Sequence, residues 1–248
     1  MNPFQQHGIT HVSPSSLNLF ASQPALWCLQ KLAKVSTAVG PAAHRGTASE
    51  TGIVHGLLNP DASIKECQDI AIKQFNDLTA FDFDPKVEKE AAAVPAIVEQ
   101  GIKKLRPFGI PDEVQHKVLI NLPGVAVPFM GFIDVGWSDK KIRLDIKTQL
   151  RLSSEISESH ARQVSLYIHG TQCAGKVAYI TPKACEIYDL TDMANHLESL
   201  RQIAIRMQNF LGLTADRDRL LAAVVPDYGS FYWSDAATRA AGKKVFGI

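Results

Sequence analysis

Apolar and polar residues alternate along two stretches of the chain, 127–137 and 141–148, with a short polar turn at 138–140 between them. This alternation, in sequence rich in β-branched and aromatic residues, predicts two antiparallel strands joined as a hairpin. A third run, 113–122, ends just before the hairpin at a Pro-Gly turn, so we expect a three-stranded meander. Two further strands are predicted at 175–181 and 185–190.

Apolar residues spaced three and four apart predict helices before and after these strands. A serine N-cap followed by proline opens the first helix at Ser13, and Pro95 is expected to kink or split a long helix. The predicted helices cover 13–29, 44–58, 63–78, 86–106, 158–172 and 192–223, the last broken near Gly212. This order indicates an α/β fold with a mixed central sheet, a helical N-terminal layer and a helical C-terminal segment.

The length of 248 residues suffices for one domain with a sizeable core. We expect a single domain over 1–248, with a helical layer at 13–106, the sheet core at 112–190, and C-terminal helices and a tail at 191–248. Lysine and arginine number 26 against 25 aspartates and glutamates, so any nucleic-acid path must come from local patches. Without a long apolar span or a signal-like N-terminus, we expect a soluble, cytoplasmic protein that does not associate with a membrane.

Three charged residues of the hairpin are predicted to meet. Side chains alternate between the faces of a strand, so Asp145 and Lys147 share one face while Leu144 and Ile146 point into the core. Asp134 on the neighbouring strand can reach Asp145 across the pair. Crowded carboxylates repel one another unless a cation lies between them, and rigidly held oxygen ligands suit Mg²⁺ or Mn²⁺. The alternative is a surface salt bridge between Asp145 and Lys147.

Three short motifs follow one another in the order Gly131-x-x-Asp134, Asp145-Ile146-Lys147-Thr148 and, on a following helix, Gln163-x-x-x-Tyr167. In order and spacing they resemble the PD-(D/E)XK nuclease superfamily, specifically its RecB-like, phage-type exonuclease branch. The resemblance spans about residues 13–179 and implies a restriction-endonuclease-like αβββαβ core.

The resemblance also implies roles for individual residues. Asp134, Asp145 and the backbone carbonyl of Ile146 would bind Mg²⁺ or Mn²⁺. Lys147 would orient the attacking water and help to deprotonate it. Glu50 would support a second metal position, which makes the site capable of two-metal chemistry.

Substrate contacts are expected from two helices. His160, Gln163 and Tyr167 are spaced as i, i+3 and i+7, so they form one stripe. In the resembled family the glutamine and tyrosine line the active-site groove, and we expect His160 beside them. Arg45, earlier on the helix that carries Glu50, is a candidate to steer a phosphate. The alternative for Glu50 is an exposed first-turn glutamate favoured by the helix dipole.

The chain has four cysteines, at positions 28, 67, 173 and 185, and no C-x-x-C pair. We therefore expect reduced thiols and no zinc ribbon. Some RecB-like nucleases hold an iron–sulfur cluster with an early cysteine and a tight C-terminal cysteine group. Here Ser-Gln-Pro stands at 22–24 where those relatives often have Cys-Pro, and no tight group follows, so no iron–sulfur cluster is expected.

The sequence and the resemblance together predict a divalent-metal-dependent DNA exonuclease acting in recombination, repair or phage DNA processing. A structure-specific endonuclease on the same core and a non-catalytic DNA-binding scaffold remain as alternatives. The expected partner is DNA, as a single strand or a duplex end. A single-strand-binding or annealing protein and a homo-oligomer are also compatible with the sequence. The tail at 226–248 carries aromatic and basic residues that either stack bases or anchor the tail on the protein.

Overall fold

The structure, a computed structural model describing residues 2–248, is a mixed α/β fold built on a five-stranded sheet. Its helices are α1 (Pro3–Gln6), α2 (Pro14–Ser22), α3 (Pro24–Lys31), α4 (Pro41–Leu58), α5 (Ile64–Thr79), α6 (Val87–Leu105), α7 (Glu158–Ile168), α8 (Met193–Leu211), α9 (Arg217–Ala222) and α10 (Ala236–Phe246). Its strands are β1 (Glu113–Ile120), β2 (Phe129–Trp137), β3 (Ile142–Thr148), β4 (Ala174–Ile180) and β5 (Cys185–Asp189). The predicted α/β class with a mixed sheet is confirmed.

The strands lie in the order β1-β2-β3-β4-β5. β2 and β3 form the predicted antiparallel hairpin, with Val135 opposite Leu144. β3 and β4 run parallel, with Asp145 opposite Val177, and β5 returns antiparallel to β4. Parallel neighbours need a crossover connection, which here contains α7. The loops that follow β3 and β4 therefore leave the sheet at the same edge.

The chain divides into two compact units. The sheet unit consists of Val39–His116 and Phe132–Thr191, and the helical unit consists of 2–38, Lys117–Gly131 and Asp192–Ile248. β1 and β2 each contribute residues to both units. The assignment of one functional domain to the whole chain stays a prediction.

In the sheet unit, α4 and α6 pack against the sheet. Ile53 of α4 and Ile97 of α6 share one buried cluster with Leu144 and Ile146 of β3, which point into the core as predicted. Burial of each such side chain contributes about 1.5–3 kcal/mol. Gly101 allows α6 to approach α4 closely, because a Cβ there would lie 2.5 Å from Cδ1 of Ile53. This packing holds β3 rigidly from the side opposite its charged residues.

In the helical unit, the C-terminal tail is anchored by two aromatic rings. Trp233 is fully buried in a cluster with Leu26 of α3. The ring of Tyr228 meets that of Trp233 edge-on, with centroids 5.0 Å apart. Phe231 and Tyr232 remain exposed. Of the two roles considered for the tail, anchoring on the protein itself is the one that Trp233 and Tyr228 serve.

Several predicted helix boundaries need correction. The helix predicted over 13–29 is two helices, because Pro24 begins α3 at its first position. α4 begins at Pro41 rather than near 44 for the same reason. α6 continues through Pro95, since buried neighbours such as Ile97 stabilise it against the missing backbone hydrogen bond. α7 ends at Ile168, ahead of a glycine with positive φ.

None of the helices within residues 2–248 has both the length and the apolar character needed to cross a membrane. The cytoplasmic location stays a prediction.

Candidate active site

Asp134 and Asp145 lie on neighbouring strands, each next to the last pair of the β2–β3 ladder, Val135 with Leu144. Asp145 is 1% exposed and Asp134 is 9% exposed. Oδ2 of Asp134 accepts a hydrogen bond of 2.7 Å from the backbone N–H of Ile146. Both carboxylates are thus held by the sheet and shielded from bulk water.

Lys147 contacts one carboxylate of this pair, with Nζ lying 2.7 Å from Oδ2 of Asp145. Because Asp145 is buried, this pair is not the surface salt bridge considered as an alternative. Burial lowers the pKa of Lys147, but the charges of Asp145 and Asp134 raise that pKa further, to above its usual value. Lys147 is therefore an ammonium at neutral pH, able to donate hydrogen bonds but not to accept a proton. This state suits the orientation of a water molecule, and the expected help in deprotonating that water stays a prediction.

Glu50 joins the two strand carboxylates from α4. Because α4 begins at Pro41, Glu50 lies in the middle of the helix, so it is not a first-turn glutamate. Burial raises the pKa of Glu50, Lys147 opposes that shift, and Asp145 adds to it. Burial, followed by the charges of Asp145 and Glu50, raises the pKa of Asp134 well above its usual value. The three carboxyl groups are thus close enough to disfavour one another's ionisation.

Gln115 of β1 bridges the helix and strand carboxylates, a role that the sequence did not reveal. Its Nε2 donates hydrogen bonds to Oε1 of Glu50 and, over 3.3 Å, to Oδ1 of Asp134. The backbone of Gln115 has a φ of 47°, a left-handed value that is uncommon for a residue other than glycine. The one signal in the sequence was a polar residue in an alternating strand, which equally fits an ordinary solvent-facing position.

Gln163 and Tyr167 of α7 reach the site together, as the stripe predicted. Nε2 of Gln163 donates to Oδ1 of Asp145 over 3.1 Å and to Oη of Tyr167 over 2.7 Å. Burial and the charge of Asp145 raise the pKa of Tyr167, so its hydroxyl stays protonated. Gln163 therefore links the helix directly to the strand carboxylate.

His160 lies one turn earlier on the same stripe and bonds elsewhere. Its Nδ1 is 2.7 Å from Oη of Tyr179, which also accepts the N–H of Ser157 over 3.1 Å. Burial and the positive charge of Lys147 lower the pKa of His160. A neutral His160 beside the site fits a positioning role, with Tyr179 as a second residue that the sequence did not reveal.

Arg45 does not have the position expected of a phosphate-steering residue. Its side chain is buried in an ion pair with Glu90 of α6, and Nη2 donates to the carbonyl of Thr148 over 3.1 Å. The guanidinium thus ties α4 and α6 to the end of β3. The predicted phosphate contact is corrected to a structural one, because the charge is already paired inside the protein.

The donor set fits a hard divalent cation. It combines carboxylate oxygens of Asp134 and Asp145 with the backbone carbonyl of Ile146, which are the ligand types that Mg²⁺ and Mn²⁺ prefer, and Glu50 is the candidate for a second position. Oδ2 of Asp145 is buried, and no well-aligned hydrogen bond satisfies it. Within residues 2–248, no three His, Cys, Asp or Glu side chains are gathered closely enough to form a metal site by themselves. The fit therefore rests on two strand carboxylates, the carbonyl and water.

Comparison with known proteins gives little beyond this geometry. No family model and no curated protein matches the chain. Among solved structures, the crystal structure of SSO0001 is similar over 66% of this chain and 85% of that chain, at 18% identity and a TM-score of 0.34. That likeness is too weak to carry an argument about function.

Proposed function

We propose that the protein is a divalent-metal-dependent DNA exonuclease that hydrolyses phosphodiester bonds on a restriction-endonuclease-like core. The observation that carries the proposal is the contact of Lys147 with the buried carboxylate of Asp145, beside Asp134, which is hydrogen-bonded to Ile146 between them. Gln163 from α7 donates to Asp145, and Gln115 bridges Glu50 of α4 to Asp134. The element order β1-β2-β3-α7-β4, with β3 and β4 parallel, supports the core expected from the PD-(D/E)XK resemblance.

Asp134, Asp145, the carbonyl of Ile146 and Glu50 would hold Mg²⁺ or Mn²⁺, with Glu50 serving a second metal position. When bound, the ion supplies a water of lowered pKa and neutralises negative charge on the phosphate. Gln115 fixes the distance between Glu50 and Asp134 through its two hydrogen bonds.

Lys147 orients the attacking water and offers its ammonium to the charge that develops on the phosphate oxygens. The water oxygen bonds to phosphorus and the water gives up one proton to solvent, one P–O ester bond breaks, and the leaving oxygen takes up a proton in its place. Gln163 and Tyr167 position the DNA strand so that its scissile phosphate faces Lys147. Water held by fixed groups reacts faster because the entropy cost of orienting it has already been met on binding.

The proposed substrate is DNA, as a single strand or a duplex end, in recombination, repair or phage DNA processing. A single-strand-binding or annealing protein would supply single strands, and a homo-oligomer would keep the enzyme on its substrate. A structure-specific endonuclease on the same core is the second enzymatic candidate. A non-catalytic scaffold is less favoured, since mutually repelling buried carboxylates confer no advantage on a protein that only binds.

Incubation of closed circular DNA and the same DNA linearised, each with Mg²⁺, tests the proposal. An exonuclease degrades the linear molecule and leaves the circle intact. Cutting of the circle supports the endonuclease instead. If neither molecule is cut in Mg²⁺ or Mn²⁺ while DNA still binds, the scaffold is the correct assignment.

A further inference from the structure

Two loops leave the sheet at the end to which β3 carries Lys147. They are residues 149–157 after β3 and 181–184 after β4. The loops start side by side, because the N–H of Gln149 donates to the carbonyl of Ile180 over 2.9 Å. Ligands of α/β sheets bind outside the carboxyl ends of the parallel strands. Leu150 follows Lys147 by three residues, or about 10 Å of extended chain.

An open cleft of about 380 Å³ lies between these loops, with Leu150, Arg151, Leu152 and Lys183 in its lining. Leu150 is 39% exposed and Leu152 is 43% exposed. Arg151 and Lys183 are exposed, and within residues 2–248 neither side chain has an ion pair. The cleft thus presents two uncompensated cations beside two apolar side chains.

The walls of the cleft are fixed by hydrogen bonds. Gln149 and Ser153 exchange side-chain hydrogen bonds of 3.1 and 3.2 Å, and Oη of Tyr188 donates to the carbonyl of Ser153 over 2.8 Å. On the second loop, Oγ1 of Thr181 accepts the N–H of Lys183 over 3.2 Å. Loops held in this way lose little conformational freedom when a ligand binds.

We propose that this cleft binds the nucleotide next to the scissile phosphate, with Arg151 and Lys183 on backbone phosphates and Leu150 and Leu152 against the base. The proposal rests on the proposed nuclease function and names a part of its substrate site. Cations beside exposed apolar side chains complement a single DNA strand, because its backbone is anionic and the faces of its bases are apolar.

Local charge makes the cleft distinctive. The segments of the sheet unit contain sixteen lysines and arginines against nineteen aspartates and glutamates, so its surface is not generally attractive to DNA. Because the overall charge is balanced, DNA binding has to depend on local positive patches. The two cations of the cleft form such a patch.

The experiment measures binding of a dye-labelled single-stranded oligonucleotide in Ca²⁺ over a series of salt concentrations. Three double variants are compared with the wild type: Arg151→Ala with Lys183→Ala, Leu150→Ser with Leu152→Ser, and a charge-matched control, Lys73→Ala with Lys89→Ala. Lys73 and Lys89 are exposed on α5 and α6, outside the cleft. All the replaced side chains are exposed, and thermal melting checks that each variant is folded.

We expect the cation variant to bind about tenfold more weakly than the wild type. The slope of log K against log salt concentration should be smaller by about 0.7 for each phosphate that the protein no longer neutralises. The leucine variant should bind several-fold more weakly with an unchanged slope, because its charge is the same as that of the wild type. A cation variant that binds no more weakly than the charge-matched control, or keeps the wild-type slope, overturns the proposal. If wild type binds with the expected dependence on Arg151 and Lys183 but cuts no DNA, the nuclease assignment fails and the nucleic-acid cleft stands.

Discussion

The carboxylate of Asp134 accepts its hydrogen bond from the backbone of Ile146, the residue between Asp145 and Lys147. One strand therefore fixes the orientation of a side chain on the next. Because the donor is a backbone group, no substitution at Ile146 other than proline removes it. The arrangement of the site thus depends on the register of β2 and β3 as much as on the identity of its residues.

Asp145→Asn should reduce cleavage in Mg²⁺ by at least about a hundredfold, on the scale of losing one strong transition-state interaction. The amide keeps the volume and can still accept from Gln163, so the fold should be intact. Initial rates on linear DNA measure the effect, with binding in Ca²⁺ as the control for folding. Near-normal cleavage by this variant would falsify the metal-site assignment.

Lys147→Met should leave DNA binding within a few-fold of wild type while cleavage almost disappears. Methionine keeps the packing of the aliphatic stem and removes only the charge, which in the proposed mechanism faces the reacting phosphate. A titration in Ca²⁺ beside single-turnover cleavage in Mg²⁺ separates affinity from chemistry. If affinity collapses while bound DNA is cut at the normal rate, Lys147 serves binding and not the chemical step.

Gln115→Asn should raise the Mg²⁺ concentration for half-maximal activity about tenfold, the usual size of losing a residue that holds a metal ligand. Asparagine tolerates the left-handed backbone of Gln115 but is too short for the bridge between Glu50 and Asp134. The fold change in activity at saturating Mg²⁺ should be smaller than the fold change in the Mg²⁺ concentration that gives half-maximal activity. An equal loss at every Mg²⁺ concentration would place Gln115 outside the metal site.

Arg45→Met should destabilise the protein by about 3–5 kcal/mol, because Glu90 is left buried without a partner. Adding Glu90→Leu removes the stranded charge and should restore most of the free energy of unfolding measured in urea. DNA affinity of the double variant should match wild type. If the double variant is stable but binds DNA much more weakly than the wild type, Arg45 contacts phosphate as the sequence predicted.

Thiol titration of the native protein at pH 8 should show one fast group, Cys173, which is partly exposed. The other three cysteines are buried, and burial raises the pKa of Cys28 and of Cys185 to about 12. At pH 8 only about one in ten thousand such thiols is a thiolate, and the fraction rises as the pH approaches that pKa. Cys173→Ser should abolish the fast phase, and two fast groups in the native wild type would contradict the structure.

Much of the fold followed from local pattern. A two-residue period fixes which face each side chain of a strand occupies, so Asp145 and Lys147 could be placed together before the structure was known. The helical stripe placed Gln163 and Tyr167 side by side for the equivalent reason. Helix starts were less certain, because proline is both a helix breaker and a favourable first residue, as at Pro24.

The sequence by itself determined the hairpin, the carboxylate pair with its lysine, and the stripe on α7, because each depends on neighbours within one or two elements. Only the tertiary structure decided that Gln115 bridges Glu50 and Asp134 and that Arg45 is paired with Glu90. These partners are far apart along the chain, and residue type alone does not show which distant group a polar side chain will meet. That choice is made when packing of α4 and α6 against the sheet brings the groups together and removes water from around them.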